Sequence, residues 1–271
     1  MTADVLGVTP ADVQVLHSDT GILPTGGGTG SSRGLIAGGT SLNLVLQETR
    51  EKLTAIAAHL LDCKQEDVVL QEGSAFDQHD PQRTVPFTRL AEAAHTEELL
   101  PPGQEPGLDF KGSHSLPKSP YAFGAHMVVV EVSRETGAIK ILKYIGVHDS
   151  GKIINPMLAE GQVHGAVAQG IGQALFEGMV YSPEGQPLSG SLMDYVLPRS
   201  DNMPDFILDT LETLSPLTAF GVKGIGELPT LAAPVAVVNA VMDALSKTGV
   251  RNIDTPLSPQ KLWRAINEST N

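Results

Sequence analysis

Residues 127–147 read MVVVEVSRETGAIKILKYIGV. Met127 to Val132 and Ala138 to Val147 alternate apolar and other side chains, and Arg134-Glu135-Thr136-Gly137 separates the two runs. A period of two belongs to a pleated strand, and a short polar turn ending in glycine lets the chain reverse. The stretch is read as a β-hairpin. Asp149-Ser150-Gly151-Lys152-Ile153-Ile154-Asn155-Pro156 follows, then a helix from about Leu158 to Phe176. A hairpin feeding a turn-rich segment and a helix predicts an α+β fold with mixed sheets and packed helices.

Outward from this centre, the helix carries Gly161, Gly165, Gly170 and Gly172, costly in a helix interior unless another backbone packs close. Downstream lie a second hairpin turning at Pro183-Glu184-Gly185, a loop at Gly221 to Glu227, and a helix of about Ala232 to Ser246 with Gly249 beyond it. Ser258-Pro259 opens a last helix, proline suiting the first helical position. Upstream, residues 3 to 7 look like the tail of a helix ending at Gly7, too short to stand alone. Val13 to Leu16 reads as a short strand, and Thr40 to Leu61 as a long helix with Leu42, Leu44, Val45, Leu53, Ile56, Ala57 and Leu60 as its apolar stripe. Short strands fill 66 to 86, a helix capped by Thr88 runs to His95, and 97 to 120 is a surface arm rich in Pro, Gly and Glu. One region over 1–271 is expected, divisible into subdomains of about 1–120 and 121–271.

Composition excludes several functions. Net charge is −13, so nucleic acid would be repelled. The single cysteine, Cys63, rules out a disulfide framework and an iron–sulfur cluster held by this chain alone, and makes the cytoplasm the expected compartment. No run of about 18 apolar residues occurs, so no membrane span is expected. Met1-Thr2-Ala3-Asp4-Val5 lacks a signal peptide's charged and apolar regions. The 8 histidines show no HExxH or HxH spacing, so no protein-ligated metal is expected, and no GxSxG elbow supports a serine hydrolase.

Three segments carry chemistry. Thr25-Gly26-Gly27-Gly28-Thr29-Gly30-Ser31-Ser32-Arg33-Gly34 combines glycines, hydroxyls and a guanidinium before a helix, a setting that suits an anion. It is neither a P-loop nor a dinucleotide fingerprint, and a tight structural turn explains it equally well. Gly221-Val222-Lys223-Gly224-Ile225-Gly226-Glu227 makes a backbone-lined slot ending in a carboxylate, a general base where its surroundings allow, although a surface loop with an ordinary glutamate is the plainer reading. Asp149 to Pro156 either caps turns or lines a ligand at a strand's end.

Taken in order, these pieces resemble the molybdenum hydroxylase family, which includes xanthine dehydrogenase, aldehyde oxidoreductase and aerobic carbon monoxide dehydrogenase. His17-Ser18-Asp19-Thr20 is similar to the family's strand and turn before its glycine loop, and Thr29-Gly30-Ser31-Ser32-Arg33 to its threonine-x-(Ala/Ser)-Ser-Arg cofactor loop. Tyr121-Ala122-Phe123-Gly124-Ala125-His126 leads into the hairpin as in the family. Asp149 to Pro156 with Gln162 and Gly165 resembles its Asp-x-Gly…Asn-Pro…Gln-x-x-Gly segment, and Gln169 to Leu175 the helix after it. Asp194-Tyr195-x-x-Pro198 and Gly224-Ile225-Gly226-Glu227 complete the series.

The resemblance implies the fold of the family's second molybdopterin-binding region and a molybdenum–molybdopterin cofactor, as the cytosine dinucleotide, held through the pterin dithiolene without protein metal ligands. It implies cofactor contacts from Gly30, Ser31, Ser32, Arg33, Asp149, Ser150, Ile153, Asn155, Gln162, Lys223, Gly224 and Gly226, with Glu227 as the general base that enables hydroxylation of an electrophilic carbon by water-derived oxygen. No Fe–S cluster or flavin belongs to this chain. Partner iron–sulfur and FAD subunits and a small-molecule substrate are implied. The family's N-terminal half, with its Gly-Gly-x-x-Gly and Gly-Gln-Gly loops, lies outside the chain, which reads equally as a split subunit, a truncated product or a partial reading frame; the N-terminal half of the molybdenum subunit is the expected partner, and the chain alone is expected to be inactive. The alternative is a non-catalytic truncated remnant or phosphate-binding assembly module. An unrelated nucleotide-binding domain is a third reading.

Overall fold

The computed structural model describes residues 1–23, 26–115 and 118–268. The chain divides into two compact units. One comprises Met1–Gly30 and Ala37–Pro117, the other Ser31–Ile36 and Lys118–Asn271.

In the first unit, α1 (Thr2–Leu6) ends on Gly7, which adopts a left-handed conformation and whose added Cβ would lie 2.4 Å from the Leu70 carbonyl. This close approach docks the stub, and Arg50 donates to the Val5 carbonyl at 3.0 Å. The long helix α2 spans Thr40–Leu61, as the pattern predicts. Only part of its stripe is buried: Leu53, Ile56 and Ala57 are in the core, whereas Leu42 and Leu44 remain 39% and 43% exposed. An antiparallel meander of β1 (Val68–Gln71), β2 (Ser74–Asp77) and β3 (Asp80–Pro86) leads to α3 (Phe87–Ala94). Pro86, not Thr88, occupies the N-cap of α3. The expected strand at Val13 to Leu16 does not form: Pro10–Asp12 is a 3₁₀ turn, and Val15 and Leu16 are exposed with no neighbouring strand. Apolar content imitates a strand there, but a strand needs a pairing edge. The arm at 97 to 120 contains a 3₁₀ turn at Glu97–Leu99, and its residues 116 and 117 lie outside the described residues.

The second unit is built on the hairpin of β4 (Phe123–Val132) and β5 (Ile139–Asp149). Gly137 has φ +72, and its missing Cβ admits the Pro259 carbonyl oxygen, which a Cβ would meet at 2.0 Å. Register runs from Val132↔Ile139 to Phe123↔Asp149 with a bulge between Val129 and Val130. β6 (Phe206–Leu211), which no sequence pattern singled out, pairs parallel to β5. A parallel neighbour requires a crossover, and α4 (Pro156–Leu175) lies in that connection.

α4 packs on α5 (Leu228–Ala244), which starts four residues earlier than expected. Gly170 serves this approach, since a Cβ there would stand 2.6 Å from Ala233 Cβ, whereas Gly161 and Gly165 face open space. α6 (Pro259–Glu268) closes a core containing Tyr144, Val167, Ile171, Val237 and Leu262. The expected second hairpin is a turn with one bridge, Tyr181↔Pro187. Among the described residues no helix is long and apolar enough to cross a membrane.

Candidate active site

Strand β5 ends at Asp149, and three segments of the second unit are laced around that end. Gly151 bridges Val222, Lys152 N–H donates to the Gly221 carbonyl at 3.2 Å, and Lys223 N–H donates to the Ser150 carbonyl at 2.8 Å. Gly151, at φ +66, lets the chains meet: a Cβ would stand 2.1 Å from the Gly221 oxygen.

Asp149 is buried, and its oxygens are spent internally. Oδ1 accepts from Gly151 N at 3.0 Å and from Lys223 Nζ at 2.8 Å, and Oδ2 accepts from Thr213 N at 2.9 Å. Burial acts to raise its pKa, but the hydrogen bonds from Lys223, Thr213 and Gly151 outweigh it and hold the carboxyl at about 2. The Lys223 side chain is only 8% exposed. Glu212, which no motif flagged, mirrors this arrangement. It accepts from Ile153 N at 2.9 Å and from Lys152 Nζ at 3.2 Å, and these bonds, the backbone one foremost, lower its pKa.

The glycine-loop residues Gly30–Ser32 form a 3₁₀ turn in which Ser31 and Ser32 adopt φ of 58 and 52, uncommon for residues with a side chain. Thr25, at the start of that motif, lies outside the described residues. Arg33 follows the turn and is exposed. Ser32 reaches the second motif: its Oγ accepts from Glu227 N at 3.1 Å, and its O–H lies 3.4 Å from Glu227 Oε2. Only glycine fits at 224, where a Cβ would stand 2.7 Å from Ser32 Cβ, and a Cβ at Gly226 would stand 3.1 Å from Gln162 Oε1. Glu227 sits exposed at the N-cap of α5.

Between the start of α4 and the Ser150–Lys223 lacing lies a cleft of about 310 Å³. Leu35, Ile154, Leu158 and Ile225 form its walls, and Ser150, Ile153, Asn155, Gln162 and Lys223 also line it. Ser150 Oγ is buried and has no hydrogen-bond partner. Asn155 Oδ1 caps α4 by accepting from Leu158 N at 3.1 Å. A second hollow of about 300 Å³ between α4 and β6 is lined by only Ile153 and Pro156 of the motif residues, so the cleft is the stronger candidate.

Of the expected contact residues, Ser32, Gln162, Gly224, Gly226 and Glu227 come together, Ser150, Ile153, Asn155 and Lys223 line the cleft, and Asp149 stands behind the wall as a strut. Among the described residues no group of three or more His, Cys, Asp or Glu could hold a metal.

Behind β5, His126 Nδ1 lies 2.6 Å from the Tyr144 hydroxyl and His126 Nε2 lies 2.7 Å from His148 Nε2. Burial, aided by His126, lowers the pKa of fully buried His148 to about 4. The unfolded chain therefore takes up that proton first, and stability falls as pH drops from about 6.5 to about 4, by about 3 kcal/mol. Asp149, whose folded pKa also lies below its unfolded one, adds a loss of about 2 kcal/mol as pH falls from about 4 to about 2. The single tryptophan, Trp263, sits in this unit and its fluorescence should report both stages in acid titrations of urea midpoints. An unchanged midpoint between pH 7 and 4 would contradict the buried neutral histidine.

A family model described as "Molybdopterin cofactor-binding domain" matches residues 1–204. The chain is 38% identical over 266 residues to the "Nicotine 6-hydroxylase large subunit" of Paenarthrobacter nicotinovorans, covering 98% of this chain and 33% of that protein. Among solved structures it resembles quinoline 2-oxidoreductase from Pseudomonas putida 86, with a TM-score of 0.85, 36% identity, and coverage of 98% of this chain and 34% of that one. It also resembles reconstituted CO dehydrogenase from Oligotropha carboxidovorans, with a TM-score of 0.88, 29% identity, and coverage of 99% and 33%. The chain thus spans about a third of the length of the relatives it matches.

Proposed function

Since this chain belongs to the molybdopterin cofactor-binding domain family and corresponds to part of a molybdenum hydroxylase large subunit, we propose that it supplies the cofactor-holding and proton-accepting share of an active site that oxidises an electrophilic carbon with water-derived oxygen. The observation that carries this reading is the meeting of Ser32 and Glu227, 195 residues apart, across the glycines of the 224–226 loop. Two motifs that are each weak alone become one site.

The buried, unpartnered Ser150 hydroxyl, in a cleft that Asn155, Gln162 and Lys223 also line, fits a bound group that completes its hydrogen bonding. When bound, the molybdopterin, here taken as the cytosine dinucleotide, supplies the two-electron oxidation, its molybdenum being held by the dithiolene. Ser31, Ser32 and Arg33 would contact its pterin or phosphates, and the backbone at Gly224 and Gly226 would pass close to it. Glu227 would take the proton of the attacking oxygen onto a carboxylate oxygen. Iron–sulfur and FAD subunits would carry electrons away, and the single cysteine supports a cytoplasmic place for that assembly.

Co-expression with the remainder of a large subunit and with both redox subunits tests the reading. The assembly should carry molybdenum and pterin and oxidise N-heterocycles, aldehydes or purines, and the 271-residue chain alone should not turn over. An assembly that folds without molybdenum would end it. In the same assembly, Arg33→Ala should weaken cofactor retention about 10- to 100-fold, since hydrogen bonds from a charged group contribute about 1.5–3 kcal/mol. Full molybdenum and nucleotide content in that variant would remove Arg33 from the site.

A further inference from the structure

Two buried polar atoms at the end of β5, His148 Nδ1 and Ser150 Oγ, have no hydrogen-bond partner among the described residues. Their residues are 0% and 3% exposed. A buried polar group left unpaired costs about 1–3 kcal/mol, and two of them two residues apart call for one explanation.

Both side chains lie on one side of the strand. Tyr144, Gly146 and His148 alternate with Ile145, Val147 and Asp149, and Tyr144 packs in the core with Val163 and Val167 of α4. Ser150 is the next step of that alternation, in extended chain that continues to the Gly151↔Val222 bridge, and it lines the cleft with Leu158, Ala159 and Gln162 of the same helix. The His148 ring is held in place: a Cβ at Gly124 would stand 3.2 Å from its Cδ2, and one at Gly146 3.0 Å from its Cε1.

The hydrogen bonds behind His148 determine which of its nitrogens carries hydrogen. Burial lowers the pKa of both His126 and His148, so both rings are neutral. The buried Tyr144 hydroxyl lies 2.6 Å from His126 Nδ1. With Tyr144 donating, His126 Nδ1 accepts, His126 Nε2–H donates to His148 Nε2 at 2.7 Å, and the hydrogen of the His148 ring sits on Nδ1. The opposite order would leave the Tyr144 hydrogen buried without an acceptor as well as an unused lone pair on His148 Nδ1, which is the costlier arrangement. His148 Nδ1–H is thus a committed donor on the Ser150 side of the strand. Residues two apart in a strand are about 6.6 Å apart, wider than one hydrogen bond and near the span of two bonds of about 2.8 Å through one oxygen.

We propose that a single buried water is bound between His148 Nδ1 and Ser150 Oγ, and that Tyr144, His126, His148 and this water form one donor chain that fixes the Ser150 hydroxyl as a hydrogen-bond donor into the cleft. The water accepts from His148 and has two hydrogens to place, for which Ser150 Oγ is the acceptor at hand. Ser150 O–H then selects an atom with a lone pair, such as a carbonyl oxygen or a ring nitrogen, over an N–H. Tyr144, His126 and His148 are positioning residues that act on the cleft through Ser150. The chain of donors is a property of these residues and stands whether or not the cleft takes a cofactor.

The test uses the 271-residue chain. A crystal structure that orders waters should show one within about 3.2 Å of both His148 Nδ1 and Ser150 Oγ. Ring ¹⁵N shifts at about pH 7 should report the Nε2–H form of His126 and the Nδ1–H form of His148. Tyr144→Phe removes the first donor, which has no hydrogen bond to His148, and the Nε2–H form of His148 should become populated, whereas a merely structural Tyr144 would leave that tautomer unchanged. A direct hydrogen bond between His148 and Ser150, no water between them, or an Nε2–H His148 in the unaltered chain overturns the proposal, as does an unchanged His148 tautomer in a folded Tyr144→Phe chain. If that variant does not fold, the measurements on the unaltered chain decide. These failures stand apart from failure of the molybdopterin reading, which is decided by molybdenum content in the assembled enzyme.

Discussion

Glu227→Gln in the assembled enzyme is expected to lower turnover about 10²–10⁴-fold, the range set by loss of a general base, with molybdenum content and melting temperature unchanged. Glutamine preserves the shape at the head of α5 and keeps an oxygen that can accept from the Ser32 hydroxyl, while the Ser32 contact to the residue 227 N–H does not involve the side chain. The amide lacks an oxygen that can take up a proton, so the variant separates proton transfer from architecture. Were Glu227 only a structural element of the loop, its replacement by Ala would reduce stability or cofactor content together with activity, and the glutamine variant would turn over nearly normally. Measuring turnover, metal content and melting temperature on one preparation decides between these outcomes.

Asp149→Ala is expected to cost about 3–5 kcal/mol of stability, because one partner of a buried ion pair is removed and the other stays. Lys223, 8% exposed, would lose the carboxylate 2.8 Å away, and the N–H groups of Thr213 and Gly151 would lose their acceptor. The double variant Asp149→Asn with Lys223→Met removes both charges, keeps an acceptor for Thr213, and should recover most of the loss, since replacing a buried pair by neutral groups is often close to neutral. Urea unfolding followed by Trp263 fluorescence measures this in the unit that contains both residues. A direct cofactor ligand would behave differently: Asp149→Ala would then leave the midpoint within about 1 kcal/mol and reduce only cofactor content.

The two variants also show how the site residues divide. Ser32, Gly224, Gly226 and Glu227 lie in short glycine motifs, with no room for a side chain at 224 and little at 226, and such motifs are visible in a sequence. Glu212 and Thr213 lie in no motif, and their importance comes from where β6 delivers them beside β5. The histidine pair could not be counted from the sequence: the turn register Val132↔Ile139, carried outward unbroken, sets His126 opposite Ile145, and only the bulge at Val129/Val130 brings it opposite Gly146, which puts His126 and His148 diagonally on one face, 2.7 Å apart.

Local chemistry decided much on its own. Alternation and a glycine turn specify the β4–β5 hairpin, a 22-residue run of helix formers specifies α2, and proline at the first position specifies the start of α6, whereas α4 begins at Pro156, two residues before the expected Leu158. The motif order identified the family. Tertiary structure alone decided the rest. Val13 to Leu16 has strand-like residues but no edge to pair with, so it stays irregular, while β6 forms because β5 offers an open edge and α4 supplies the crossover. In the sequence Asp149 either caps a turn or lines a ligand; in the fold its oxygens take one donor from the neighbouring turn, Gly151 N–H, and two from distant segments, Thr213 N–H and Lys223 Nζ. A sequence lists which donors and acceptors exist, and only the folded chain determines which of them have already been used.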